Sequence, residues 1–301
     1  MKMHPNEVHT DAALVRRLVA AQYPEWADLV IEPVASAGTD NALYRLGDDM
    51  TVRLPRIDWA VEAVDKEYTW LRRLAPFLPV DVPVPLARGV PGEGFPWPWT
   101  VCRWLEGVNP EVGAVAEPDH LATELAQFLT ALHGVDLAGG PPAGRGVPLA
   151  ARDAPTRAAI AELDGIVDMD GIVDMAAALR AWESALRAPP WAGPPVWVHA
   201  DVSPMNLLCV DARLTGVIDF GTMGVGDPAC DVIVAWNLLP NQTREHFRKV
   251  MRVDDATWAR GRGWALSIAL IALPYYQHTN PVLADNARHV IHQILVERES
   301  A

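Results

Sequence analysis

HADVSPMN at residues 199–206 and IDFG at residues 218–221 are the two most informative segments of this sequence. Together they place Asp201, Asn206 and Asp219 within one short region. Phosphoryl transfer uses three such groups, because one carboxylate orients or deprotonates a hydroxyl while an amide and a second carboxylate hold Mg²⁺ against phosphates. Each residue alone is typical of a turn or a helix cap. Their joint spacing between short apolar strands argues against that simpler interpretation.

The spacing itself, H-x-D-x-x-x-x-N followed by D-F-G, is the pattern of kinase-type enzymes. The arginine of the protein-kinase version is missing, because Ala200 stands between His199 and Asp201. This departure favours a small-molecule kinase over a protein kinase. We predict Asp201 as the catalytic base, and Asn206 and Asp219 as ligands of Mg²⁺, a hard cation that prefers oxygen ligands. His199 is predicted to brace the loop by hydrogen bonds.

The composition argues against several classes of function. The 301 residues carry a formal net charge of −13 at pH 7, whereas nucleic-acid binding requires clustered Lys and Arg. The acidity is explained by solubility, although it would also help to collect a cationic substrate. The three widely spaced cysteines fit a reducing cytosol and argue against disulfides or a zinc site. No signal peptide is recognisable and the longest apolar run, 265–276, is too short to span a bilayer, so we predict a cytoplasmic protein with no membrane or nucleic-acid partner.

The N-terminal part is rich in strand patterns and is predicted to hold a nucleotide. Its predicted elements are strands at 29–34, 42–46 and 50–54 and a helix at 59–75. The turn between the first two strands contains Ser36, Gly38 and Thr39, and it joins two strands as a loop that covers phosphates would. Its single glycine leaves a plain hairpin turn as the alternative.

The third predicted strand carries a cation on one face. Thr51 and Arg53 point to one side and Val52 and Leu54 to the other, because side chains alternate along a strand. A cation on the inner face could meet nucleotide phosphates; a solvent-facing arginine is the alternative. Protein kinases use lysine here, but arginine also binds phosphate and always stays charged. Glu67 lies on the apolar face of the next helix, where a charge needs a partner, so we predict that it pairs with Arg53.

The rest of the chain is predicted to be mainly helical. Residues 79–98 have neither a helical nor a strand period and are predicted as an extended connection. A break at Glu106 places the boundary between two lobes, at 1–106 and 107–301. Asp231 is predicted to have a structural role; substrate binding is the alternative. Further predicted elements are a strand at 99–105, a hairpin of 206–210 with 214–218, and helices at 119–133, 227–239, 243–251, 255–277 and 281–299.

Together these residues resemble the aminoglycoside phosphotransferase family of antibiotic and small-molecule kinases. The motifs that carry the resemblance are GTDNALYRLG (38–47), VRLPR (52–56), WLEG (104–107) and the segments 198–208 and 217–231. The resemblance implies an α+β, two-lobed, protein-kinase-like fold with a small β-rich N-lobe and a larger, mainly helical C-lobe. It places the nucleotide at a hinge near Cys102 and Trp104, and it implies the same roles for Asp201, Asn206 and Asp219.

The same resemblance implies ATP or GTP as the phosphate donor and a small-molecule alcohol as the acceptor. We predict an aminoglycoside-type antibiotic, and hence a role in antibiotic resistance; an acidic tandem repeat, DGIVDM twice over 164–175, mildly favours this cationic class. Macrolide, choline and other alcohol kinases occur in the family and stay open. A catalytically silent nucleotide-binding module is the alternative of another class, which the intact Asp201, Asn206 and Asp219 argue against. We expect a monomer or a homodimer.

Overall fold

The N-terminal lobe is built on a five-stranded antiparallel sheet, with the strand order β1-β2-β3-β5-β4. The computed structural model describes residues 6–35, 38–164 and 174–296. The strands are β1 (Ile31–Pro33), β2 (Asn41–Leu46), β3 (Met50–Pro55), β4 (Pro85–Gly89) and β5 (Trp99–Arg103). The helices of this lobe are α1 (Ala12–Gln22), before the sheet, and α2 (Val61–Leu74), between β3 and β4. The predicted β-rich N-lobe is confirmed.

The two faces of this sheet have different partners. Val52 and Leu54 of β3 are buried in an apolar core with the inner face of α1. The other face carries Arg53, and the register of β3 against β5 places Thr100 and Cys102 on the same side as Arg53. The alternation predicted for β3 is therefore observed, and it leaves one face of the sheet polar.

The C-terminal lobe is mainly helical, as predicted. Its helices are α3 (Pro118–His133), α4 (Asp153–Leu163), α5 (Met175–Leu186), α6 (Val234–Asn237), α7 (Asn241–Met251), α8 (Asp255–Tyr276) and α9 (Pro281–Val296). Two antiparallel pairs complete it, β6 (Val196–Val198) with β9 (Gly224–Gly226) and β7 (Leu207–Val210) with β8 (Arg213–Val217). Within the part of the chain that the structure describes, no helix combines the length and the apolar character needed to cross a membrane.

Helix α2 packs against both lobes. Its last turns bury Leu71 and Leu74 in the large core formed by the C-terminal helices, and Trp70 packs on Trp197 of β6 with ring centroids 4.8 Å apart. Burial of a large apolar side chain contributes about 1.5–3 kcal/mol. The middle of α2, which carries Glu67, is therefore held firmly beneath the sheet. The lobe boundary after residue 106 stays a prediction.

Two expectations about secondary structure were wrong. The extended connection 79–98 contains β4, which begins at Pro85; proline is tolerated there because β4 is an edge strand and Pro85 is its first residue. The helix expected over 227–239 is broken into a 3₁₀ turn, Pro228–Asp231, and the short α6. This segment is buried throughout, so its packing overrides the helical period. Helices α4 and α5 were not predicted, and residues 165–173 of the tandem repeat lie outside the described residues.

A loop of the C-terminal lobe, which we call the 141–146 segment, lies against β9. Ala143 N donates to Val225 O at 3.1 Å, and Val225 N donates to Pro141 O at 2.8 Å. Gly224 permits this contact, because a Cβ atom there would lie 2.5 Å from both Ala143 N and Pro141 O. The segment is therefore fixed to the strand that follows the IDFG run.

Replacing Gly224 by alanine tests this packing. We expect the free energy of unfolding to fall by about 1–3 kcal/mol, because the new methyl group would press on backbone atoms that cannot rotate away. Gly92→Ala is the control, because its nearest neighbour would be the flexible end of Gln22 at 3.4 Å; we expect a change within about 0.5 kcal/mol. Urea unfolding measures both variants, and equal stabilities would contradict the close approach at Gly224.

Candidate active site

The β7–β8 hairpin brings the two halves of the motif together. Ile218 N donates to Asn206 O at 2.8 Å. Asp219, the next residue in the chain, therefore lies close to Asn206. The Asn206 amide nitrogen donates to Asp201 O at 2.8 Å and lies 3.4 Å from Asp201 Oδ2. The charge of Asp201 also acts on Asp219. The three predicted residues therefore converge at one end of the hairpin.

The buried carboxylate of Asp231 holds the loop that leads to Asp201. It accepts hydrogen bonds from His199 N at 3.1 Å and from Ala200 N at 2.6 Å, and it lies 2.9 Å from His133 Nε2. Ala200 has a φ of +67°, a left-handed conformation that costs a non-glycine residue about 1–3 kcal/mol. The bonds to Asp231 offset that cost, which is the structural role expected of this residue.

The His199 ring ties the same loop to the IDFG run. Its Nε2 lies 3.0 Å from Ile218 O, and its Nδ1 accepts a hydrogen bond from Asp201 N at 3.2 Å. The ring also packs edge-on against Phe220 with centroids 4.4 Å apart. The predicted bracing contacts of His199 are thus observed. Asp219 between these anchors has a φ of +62°, so its backbone too is held in the left-handed region.

The predicted pairing of Glu67 with Arg53 is also observed. Arg53 Nη1 lies 2.7 Å from Glu67 Oε2, and Arg53 Nη2 lies 3.7 Å from Asp219 Oδ1. Burial alone would lower the pKa of Arg53, but Glu67, Cys102 and Asp219 raise it overall, so the guanidinium stays charged. Burial raises the pKa of Asp219, although Arg53 opposes that shift. Glu67 Oε1 is buried without a hydrogen-bond partner among the described residues, which leaves an acceptor for a bound group.

The predicted phosphate-covering loop is described only in part, because Ser36 lies outside the described residues. Gly38 and Thr39 are described, and Thr39 meets Tyr276 at the C-terminal end of α8. Burial raises the pKa of the Tyr276 phenol, while its hydrogen bond with Thr39 lowers it and the charge of Asp201 raises it further. The loop of one lobe therefore touches a helix of the other lobe close to Asp201.

The two predicted hinge residues make different contacts. Cys102 is buried beside Arg53, and burial raises the pKa of its thiol to about 11, so it contributes an apolar wall. Trp104 N donates to Asp49 O at 2.7 Å, and the indole ring has Cζ of Arg45 4.0 Å from its centroid. The Trp104 backbone is thus bonded to the β2–β3 turn, and its side chain packs on Arg45 of β2.

Arg145 is a residue of this site that no sequence pattern indicated. It lies in the 141–146 segment, and its Nη1 donates to Ala200 O at 2.9 Å and to the carboxylate of Asp201. Burial would lower the pKa of Arg145, but Asp201 raises it overall, so the side chain remains a cation. In the sequence it is a lone arginine between two glycines, which is typical of any surface loop.

Replacing Glu67 by alanine would leave Arg53 buried without its closest partner. We expect the free energy of unfolding to fall by about 3–5 kcal/mol, because the buried guanidinium loses its hydrogen-bonded partner and the remaining contact with Asp219, at 3.7 Å, is longer. Glu62→Ala, on the exposed side of the same helix, is the control and should change stability by less than about 0.5 kcal/mol. Urea unfolding distinguishes them; a loss below about 1 kcal/mol for Glu67→Ala, as for a surface ion pair, would contradict the pairing.

Comparison with known proteins identifies a family and a relative that matches this chain over a short stretch. The model of the phosphotransferase enzyme family, APH, matches residues 31–264. An aminoglycoside 3'-phosphotransferase of Escherichia coli is 42% identical over 60 residues, which are 20% of this chain and 22% of that protein. This pairwise match therefore covers only a short part of either protein.

Solved structures resemble this chain over nearly its whole length. The GDP complex of wild-type aminoglycoside 2'-phosphotransferase-IIIa has a TM-score of 0.74 at 17% identity, over 96% of this chain and 100% of that one. The macrolide 2'-phosphotransferase apoenzyme from Brachybacterium faecium has a TM-score of 0.63 at 24% identity, over 93% and 97%. At such identities the likeness establishes the two-lobed fold. Because the family model covers most of the sequence, this chain belongs to the phosphotransferase enzyme family.

Proposed function

We propose that this protein transfers the γ-phosphate of ATP or GTP to a hydroxyl group of an aminoglycoside-type acceptor, with Mg²⁺ as cofactor. The observation that carries the proposal is the convergence of Asp201, Asn206 and Asp219 beside the charged Arg53. Phosphoryl transfer depends almost entirely on positioning and on electrostatic stabilisation, so this arrangement is what the reaction requires. Family membership supports the same reaction class.

The polar face of the N-terminal sheet is the proposed wall of the nucleotide site. Arg53 is buried on that face with its charge retained, and a guanidinium can donate two parallel hydrogen bonds to phosphate oxygens. Glu67 fixes the direction of this fork. The GDP complex of the similar aminoglycoside enzyme supports a nucleotide donor. The other proposed contacts are Ser36, Gly38 and Thr39 over the phosphates, and Cys102 and Trp104 at the hinge.

Asn206 and Asp219 are the proposed Mg²⁺ ligands, and their chemistry fits that ion. The amide nitrogen of Asn206 is used by Asp201, which leaves the amide oxygen for a ligand. Asp219 adds carboxylate oxygens, and Mg²⁺ binds through a few such hard ligands together with substrate phosphates. When bound, the ion would neutralise charge on the β- and γ-phosphates.

Asp201 is the proposed base for the acceptor hydroxyl. Its side chain is 30% exposed, so a substrate can reach it, and its carboxylate is oriented from two sides by Asn206 and Arg145. A positioned carboxylate accepts the hydroxyl proton as the oxygen attacks the γ-phosphorus. In a loose transition state the main contribution of such a group is to hold the nucleophile in line.

Mass spectrometry of an acceptor panel tests this function directly. We expect wild-type protein with Mg²⁺ and ATP or GTP to add one phosphate group to an aminoglycoside, and Asp201→Asn to lower turnover about 10²–10⁴-fold, the usual contribution of general-base catalysis. Asp211→Asn, an exposed residue of the β7–β8 turn, is the matched control and should keep wild-type turnover. Nucleotide binding without product across the panel would instead favour a silent binding module.

A cluster of acidic and aromatic side chains, which we call the acceptor mouth, indicates the class of acceptor. It comprises Asp40, Trp59, Tyr275, Tyr276 and Asp201. Trp59 and Tyr275 are 56% and 52% exposed, and the Trp59 indole lies 3.5 Å from an Asp40 carboxylate oxygen. Beyond the larger effect of its burial, the charges of Asp40 and Asp201 raise the pKa of Tyr276. Carboxylates beside open aromatic rings suit ammonium groups, through charge-assisted hydrogen bonds and cation–π contacts. This mouth favours a polycationic alcohol.

The salt dependence of the acceptor KM tests the charge of the mouth. We expect the aminoglycoside KM to rise several-fold from about 0.05 M to about 0.5 M salt, because exposed charges are screened over about a Debye length. Asp40→Asn should raise the KM and flatten that dependence. Asp28→Asn, an exposed carboxylate after α1, is the control and should leave both unchanged.

A macrolide-type acceptor is the second candidate. The macrolide enzyme shares more identity with this chain than the aminoglycoside enzyme does, 24% against 17%, and exposed aromatic rings also suit a lipophilic ring system. Turnover confined to macrolides, with a KM that salt does not change, would replace the aminoglycoside proposal by this one.

A further inference from the structure

We propose that Arg145 is a positioning residue for phosphoryl transfer, which fixes the Asp201 carboxylate and offsets its charge where the triphosphate approaches. This inference rests on the proposed function. Arg145 Nη1 donates hydrogen bonds to Ala200 O, at 2.9 Å, and to Asp201 Oδ1. One nitrogen thus spans the backbone and the side chain of the two residues at the centre of the motif.

The backbone on both sides of Arg145 is fixed by hydrogen bonds, which restricts the direction of its side chain. Gly144 N donates to Thr222 O at 2.8 Å, and Asp227 N donates to Gly146 O at 2.8 Å. Gly146 has a φ of +96°, and a Cβ atom there would lie 3.3 Å from the sulfur of Cys230. Arg145 is therefore held between two anchored glycines, on a segment bonded to the chain that follows Asp219.

Arg145 offsets negative charge in a site that contains two carboxylates. Asp201 and Asp219 are like charges that act on each other, and both would face an anionic triphosphate. Each carboxylate has its own arginine: Arg53 Nη2 lies 3.7 Å from Asp219, and Arg145 contacts Asp201. Without Arg145, the repulsion between Asp201 and the donor would oppose the approach of the γ-phosphate.

Arg145 is also accessible to the reacting groups. Its side chain is 26% exposed and that of Asp201 is 30% exposed, so neither is sealed inside the protein. The guanidinium has five N–H donors in a rigid fork, and the recorded bonds to Ala200 and Asp201 use only its Nη1. Nη1 therefore holds Asp201 with a charged donor at the end of a long side chain, whereas a glutamine amide is uncharged and shorter.

Steady-state kinetics of Arg145→Gln and Arg145→Lys test the inference. We expect Arg145→Gln to lower kcat about 10²–10³-fold, the usual effect of losing one preorganised electrostatic group, with the acceptor KM changed less than about threefold. Arg145→Lys should lie between this variant and wild type, because lysine restores the charge but not the planar guanidinium geometry that places Nη1 between Ala200 O and Asp201. Arg157→Gln is the control, since Arg157 forms an exposed ion pair with Asp153 away from the site.

The outcomes separate this inference from the proposed function. Wild-type protein that forms no product would overturn both, whereas active wild type with Arg145→Gln within about threefold of its kcat would overturn the role of Arg145 alone. If Arg145→Gln does not fold, Arg145→Lys decides: a kcat reduced at least about threefold at unchanged thermal stability supports the role. A wild-type kcat in Arg145→Lys would then overturn it.

Discussion

The buried carboxylate of Asp231 is the interaction on which the geometry of the site depends. A buried charge is costly unless it is hydrogen-bonded, and Asp231 is satisfied by the backbone amides of His199 and Ala200 together with the ring of His133. Those amides reach it with Ala200 in its left-handed conformation. The satisfied carboxylate and the strained backbone thus stabilise each other, and together they determine where the Asp201 carboxylate lies.

The second constraint is the distribution of charge between elements that are distant in the sequence. Arg53 comes from the sheet, Glu67 from α2 and Asp219 from the end of a hairpin, yet they form one chain of contacts. Helix α2 is anchored in the large C-terminal core through Leu71 and Leu74. The ion pair therefore ties the polar face of the sheet to the lobe that carries the motif, and it keeps the cleft between them polar.

The local features of the site could be predicted because their physical causes lie within a few residues. The hairpin that joins Asn206 to Asp219 follows from two short apolar strands around a turn. The inward direction of Arg53 follows from alternation along one strand, and the burial of Glu67 follows from its place on the apolar face of one helix. A buried glutamate then requires a cation, which is why its pairing with Arg53 could be predicted before any coordinates were known.

Periodicity and short-range spacing were enough to predict the β-rich and helical parts of the chain, the motif and the Arg53–Glu67 pair, whereas the two-lobed fold was predicted from the resemblance to the phosphotransferase family. Tertiary packing alone determines that the proline-rich stretch forms an edge strand, where the buried segment after Asp227 breaks, and that the Trp104 indole packs on Arg45. It also decided that Arg145 meets Asp201, a contact between loops 56 residues apart. No period or local spacing encodes such a contact, because it depends on Gly224 allowing two backbone segments to approach each other.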